Sequence, residues 1–165
     1  MIQYVERNRA RYEATDLDFV LSDYESLNST EPFDCALFYD SLHRAVDERA
    51  ALQSVFRALR PGGVVITHEP GAGHSKSPVS LRAMELYGVT EKDMPPAHIR
   101  DVCREIGFSG FQFLPDPTLA IISMYGINLA ALTRIHQPWW RRLMQLGRLF
   151  ADKTLQHGGL CVITK

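Results

Sequence analysis

No glycine precedes Gly62 in the chain. A glycine loop that cradles phosphate at the head of a helix is therefore excluded from the N-terminal third, and with it the usual dinucleotide-binding entry. Cysteine is scarce. Cys35, Cys103 and Cys161 form an odd, widely spaced set, each among apolar neighbours. That pattern excludes a disulfide framework and a cysteine metal site, favours buried free thiols and fits a reducing cytoplasm. Long apolar runs are also absent. The best candidate, TLAIISMYGINLAAL, is too short to span a bilayer and is broken by Gly126 and Asn128, so no integral membrane segment is expected. The start, MIQYVERNRAR, is charged throughout and does not read as a secretory signal. Neither sign of charge dominates. The formal net charge of −1 argues neither for nor against nucleic acid, and no nucleic-acid partner is expected. Lys and Arg are missing from Glu13 to His43, a stretch with eight acids, most of which read as solvated loop edges.

The 165 residues, 45% hydrophobic and 22% charged, suffice for a single domain with a real core. Met1 to Tyr12 has the spacing of a helix, and Asp18 to Leu21 (DFVL) reads as a short buried strand. Phe33 to Tyr39 (FDCALFY) is almost continuously apolar, which predicts a parallel strand buried on both faces. Asp47 is placed to cap a helix whose buried face is Leu52, Val55, Phe56 and Leu59. Arg57 and Arg60 fall in its last turn, where the helix dipole favours cations, and Pro61-Gly62-Gly63 ends it. Val64 to Thr67 then completes a strand–helix–strand unit. A glycine- and serine-rich loop, Gly71 to Ser80, leads to a short helix over Leu81 to Tyr87. A further helix opens at Met94-Pro95-Pro96 with Asp93 as its cap, buries Ile99, Val102, Cys103 and Ile106, and ends at Gly107. Strands are expected at Phe111 to Phe113 and Leu160 to Thr164, and helices at Ile127 to Thr133 and Trp139 to Gln156.

Strands alternating with helices specify an open α/β sheet, in which ligands bind at the carboxyl ends of the strands. The polar tips to watch are Ser22-Asp23-Tyr24, Asp40-Ser41-Leu42-His43 and His68-Glu69-Pro70. The run FDCALFYDSLH, a helix, LRPGG, an apolar strand and EP resembles the later motifs of class I S-adenosylmethionine-dependent methyltransferases, and FVLSDYESL upstream extends the match. The resemblance covers roughly Met1 to Leu114, and more loosely the last strand. It implies a partial Rossmann-like sheet, mostly parallel with an antiparallel C-terminal strand and helices on both faces. The chain is expected to form one domain over 1–165, with a helical insertion at about 118–157.

The resemblance also assigns roles. S-adenosylmethionine is the implied cofactor. Asp23 would accept from the adenine amino group with Tyr24 beside the ring, and Met1 or Ile2 would pack on the adenine. Tyr39, Asp40 and Ser41 would lie near the methionine part, although Asp23 and Asp40 also read as simple loop acids. His43 would sit at the pocket edge facing a small-molecule or glycan-like acceptor, and Glu69 would line the substrate side. His43, His68 and His74 are candidate bases, because imidazole titrates near neutrality. A lone His43 equally reads as a loop histidine bonded to backbone. The family's first strand, its glycine turn and a second strand ending in a ribose-binding acid have no counterpart before Asp18, and Gly71 to Gly73 follows the wrong strand. The expectation is a chain lacking the family's first two strands, with weak or absent cofactor binding, whose exposed strand edges drive homo-oligomerisation. The alternative is a non-catalytic α/β remnant or subunit that self-associates or binds a partner chain. His68, Glu69 and His74 do not have the HExxH spacing of a zinc helix, so no metal is assigned; Asp40 with Glu69 is the remaining magnesium reading. Trp139 and Trp140 lie in a basic segment that reads as a packed helix, a substrate lid or a membrane-surface contact.

Overall fold

The computed structural model describes residues 7, 9, 11, 16, 18–27, 29, 31–115, 140 and 158–165. Strand β1 spans Phe33–Tyr39, helix α1 Glu48–Ala58 and strand β2 Leu59–Glu69. Helices α2 and α3 follow at Pro78–Tyr87 and Pro96–Ile106, and strands β3 and β4 at Gly110–Pro115 and Gly159–Thr164. The sheet order is β1-β2-β4-β3. β1 and β2 are parallel, and β4 is antiparallel to both β2 and β3. Three strands thus point one way around a reversed C-terminal strand, as the sequence implies.

α1 begins where Asp47 Oδ1 accepts the Ala50 amide at 2.9 Å, satisfying an N-terminal donor that the helix cannot pair itself. Its face Ala51, Leu52 and Val55 meets Ile99, Val102 and Cys103 of α3 over the Phe38, Val65, Cys161 and Ile163 side of the sheet. α3 ends at Gly107 in the left-handed region, φ +111°. The helix pair is also tied at the surface by Arg49 and Glu105. Burial pushes the Cys103 thiol up to about 12, with Cys161 adding to the shift. It pushes Cys161 up to about 11. Both are inert core thiols, whereas Cys35 is exposed, contrary to the expectation of three buried cysteines.

Other expectations are corrected. Residues 18–21 form no strand, and Val20 and Leu21 are exposed. Among the described residues no strand lies beside this segment to complete a ladder with it. β1 is not buried on both faces: Phe38 is covered, while Leu37 and Tyr39 are 66% and 70% exposed. The helix stops at Ala58, so LRPGG opens β2 rather than closing α1. Gly62 has φ +77°, and a Cβ on Gly63 would lie 2.9 Å from the Arg60 carbonyl oxygen and 3.2 Å from that of Asp34. The two glycines therefore serve a tight strand entry beside a register shift between Phe33 and Cys35. Arg60 leaves the helix dipole and pairs with Asp34 at 2.9 Å. Asp93 does not cap α3, whose N-cap is Pro95.

Helices α1 and α3 cover one face of the sheet. The helices expected over Met1 to Tyr12 and Trp139 to Gln156 lie outside the described residues except at 7, 9, 11 and 140, which are helical. The insertion at about 118–157 lies outside them apart from Trp140. Among the described residues no helix is long and apolar enough to cross a membrane.

Candidate functional site

The carboxyl ends of β1 and β2 lie side by side, with Tyr39 opposite His68. Beyond Tyr39 the chain turns sharply. Asp40 takes φ +50°, a conformation that short acidic side chains tolerate better than bulky ones, and its amide donates to the His68 carbonyl at 2.8 Å. The turn feeds a single 3-10 turn, Leu42–Arg44, with three amides converging on Glu69. Ser41 and Leu42 donate to Oε1 at 3.0 and 2.8 Å, and His43 donates to Oε2 at 3.2 Å. The Glu69 side chain is fully buried. Burial pushes its carboxyl pKa up, but hydrogen bonds from the His43 ring and from these amides outweigh burial and hold it below the usual range.

A buried polar chain runs on from there. His43 Nδ1 lies 2.7 Å from Glu69 Oε2, and His43 Nε2 lies 3.4 Å from Glu91 Oε2. Glu91 also meets His74 Nε2 at 2.8 Å and Arg44 at 3.3 Å. The loop carrying Glu91 is strapped down by the Lys92 amide on the His43 carbonyl and the Met94 amide on that of Pro70. Lys92 Nζ and His98 both reach Glu48. Burial opposes ionisation of Glu48, yet these contacts and its own helix-terminal amide bring its pKa down to about 2.

Next to β1, a pocket of about 250 Å³ is lined by Asp23, Tyr24, Leu27, Ala36, Leu37, Phe38, Ser41 and Val55. The turn bearing Asp23 is anchored to α1 by the Leu27 amide on Ser54 Oγ at 2.8 Å. Tyr24 packs toward Phe38, ring centres 6.4 Å apart. Asp23 Oδ1 takes the Ser26 amide at 2.8 Å; among the described residues Oδ2 has no hydrogen-bond partner.

Three of the residues singled out in the sequence, Asp23, Tyr24 and Ser41, thus meet in one pocket. Tyr39 stacks on His68 at 5.2 Å on the exposed face of the sheet, and the Asp40 carboxylate is exposed. His43 is 1% exposed with both ring nitrogens facing carboxylates, so its side chain is interior rather than at a pocket edge. Glu69 is likewise an internal anchor. Met1 and Ile2 lie outside the described residues. Glu91 and Arg44 were not singled out: an acid in an aperiodic loop and an arginine after a histidine carry no pattern that marks them.

A family model described as a methyltransferase domain matches residues 1–148. Several solved structures share the fold. One is a chain in the complex between the Haloferax volcanii Trm112 methyltransferase activator and the methyltransferase it accompanies (19% identity, TM-score 0.59), where the match covers 96% of this chain and 66% of that one. The YcgJ protein of Bacillus subtilis is similar at 15% identity and TM-score 0.60, covering 100% and 78%. The [4+2]-cyclase SpnF is similar at 18% identity and TM-score 0.52, covering 97% and 59%. The chain therefore spans two thirds or less of the length of the first and third of these. No curated protein matches the sequence. Such identities show a common fold, and the cyclase illustrates that a fold alone does not fix a reaction. The match over residues 1–148, which includes the Asp23 turn and the ends of β1 and β2, places this chain in the class I methyltransferase-domain family.

Proposed function

We propose that this chain, as a single domain, binds S-adenosylmethionine and transfers its methyl group to a small-molecule or glycan-like acceptor. The pocket that joins Asp23, Tyr24, Phe38 and Ser41 at the end of β1 carries the reading. Its chemistry suits an adenine: an apolar and aromatic wall with one carboxylate oxygen available to an amino donor. Asp23 accepts from the adenine amino group and Tyr24 lies beside the ring. Tyr39, Asp40 and Ser41 flank the methionine end. When bound, the cofactor supplies a sulfonium methyl group open to nucleophilic attack.

The chain's own share of catalysis is positioning and exclusion of water. His68, half-buried and stacked on Tyr39 at the sheet end, is the base we favour for an acidic hydroxyl or amine proton. His43 and Glu69 act as positioning residues, because Glu69 fixes the Ser41–His43 backbone that borders the pocket. The balanced charge offers no hold on a polyanionic acceptor, and three free thiols suit the cytoplasm. Within the described residues the hold on the cofactor is at its adenine end, through Asp23 and Tyr24.

Calorimetric titration with S-adenosylhomocysteine tests this. Asp23→Ala removes a charge-assisted hydrogen bond and is expected to weaken binding about tenfold or more. Unchanged affinity in that variant contradicts the assignment.

We also propose self-association, the property that a non-catalytic module would share. Exposed Leu37 and Tyr39 lie on β1, whose outer edge pairs with no strand among the described residues, and Val20 and Leu21 are exposed as well. Light scattering at high protein concentration should give at least twice the chain mass; the monomer mass there rules it out.

A further inference from the structure

We propose that His43, His74 and Glu91 form a site for one divalent transition-metal ion of the zinc type, with water completing its coordination. The three side chains come from separate segments: the 3-10 turn after β1, the turn after β2, and the loop ahead of α3. Their donor atoms all lie within 4.8 Å of one another. His43 Nε2 and Glu91 Oε2, at 3.4 Å, already have the spacing of two ligands on a tetrahedral ion, roughly 3.3 Å for bonds of about 2.0 Å. The His74–Glu91 pair, at 2.8 Å, is a hydrogen bond that an ion would open slightly.

The surroundings are those of a built site. Glu69 faces His43 Nδ1 at 2.7 Å and is itself fixed by three amides. A carboxylate in that position holds the proton on Nδ1 and turns the Nε2 lone pair outward, as behind many metal-bound histidines. That lone pair then faces a carboxylate oxygen, and two acceptors at this distance need a positive charge between them. Arg44 occupies the other oxygen of Glu91 and leaves Oε2 to the cluster. The turn bearing His74 is set by Asp93, which accepts the Gly73 and Ser75 amides at 2.9 and 2.7 Å on either side of it. His43 and Glu91 are buried, and His74 is 27% exposed, which gives an ion and its water a way in. Two imidazoles and a carboxylate select zinc, cobalt or iron over the all-oxygen ions magnesium and calcium. The ligands stand at positions 43, 74 and 91, so no linear spacing announces them. The assignment does not depend on cofactor binding or methyl transfer.

The rival occupant is a proton, with His43 as an imidazolium between two carboxylates, and metal titration separates the two. Tag-free full chain is stripped with chelator and titrated with Zn²⁺, then with Co²⁺. One ion should bind per chain, with the intense visible absorption of low-coordinate Co²⁺. His74→Ala and Glu91→Gln should each weaken binding by more than the roughly 10- to 100-fold expected of the outer-shell change Glu69→Gln. His98→Ala, on the surface of α3, should bind as the parent does. Should the buried-site variants fail to fold, the parent chain still decides the matter. Zn²⁺ must shift the ring resonances of His43 and His74 and leave those of His98 unmoved. No stoichiometric binding, perturbation of His98 instead, or undiminished affinity in folded Glu91→Gln overturns the site.

Discussion

Glu69→Ala is expected to destabilise the chain by about 4 kcal/mol in urea unfolding, near the limit for one substitution. The carboxylate is fully buried and accepts three amides and the His43 ring. Truncation orphans all these donors at once, and each unpaired buried donor costs about 1–3 kcal/mol before relaxation and water entry reduce the sum. The surface control Glu105→Ala, which breaks an exposed ion pair with Arg49, should cost less than about 1 kcal/mol. The pH dependence follows from the same geometry. The folded-state pKa of Glu69 lies below its ordinary 4.5, and that of Glu48 falls to about 2. Groups with depressed folded pKa values bind protons more readily when unfolded. Their stabilisation is complete above pH 4.5 and is lost as pH falls from there toward 2. In Glu69→Ala this acid-induced decline should be shallower than in the parent chain.

Leu52→Ala is expected to cost about 2–5 kcal/mol. Leu52 is completely buried at the centre of the α1 face, in the cluster that includes Phe38, Val65, Ile99 and Ile163. Removing its isopropyl group forfeits the transfer free energy of three carbons and leaves a cavity between helix and sheet that neighbours on β1, β2 and α3 only partly fill. Val79→Ala on α2, where the residue is 79% exposed, should change the unfolding free energy by less than about 0.5 kcal/mol. Equal losses at the two positions contradict the location of the core.

The features legible in the sequence are those that local chemistry dictates. Asp47 marks the start of α1, Gly107 marks the end of α3, and the apolar run at Phe33–Tyr39 becomes a strand with the expected bounds. What went astray depends on neighbours. DFVL is apolar enough for a strand, but a strand exists only with a partner, and none of the described strands pairs with it. LRPGG reads as a helix stop, yet the close approach of Gly63 to the Asp34 and Arg60 carbonyls makes it a strand entry. Asp93 stands where a cap is wanted and is drawn instead to the amides of Gly73 and Ser75. The polar tips of β1 and β2 were visible as a set, and Asp23, Tyr24 and Ser41 do converge. The direction of the His43 side chain was not, because it follows from the Asp40 turn and from Glu91, an acid with no periodic or motif context.

The central claim is that cofactor is held at the end of β1, and amide chemical-shift mapping with S-adenosylhomocysteine on the full chain tests it most directly. Titration to several millimolar should move the Asp23, Tyr24, Leu27, Phe38 and Ser41 amides in a single saturable process. Shifts confined to other surfaces such as α2, or none at these residues, would contradict it.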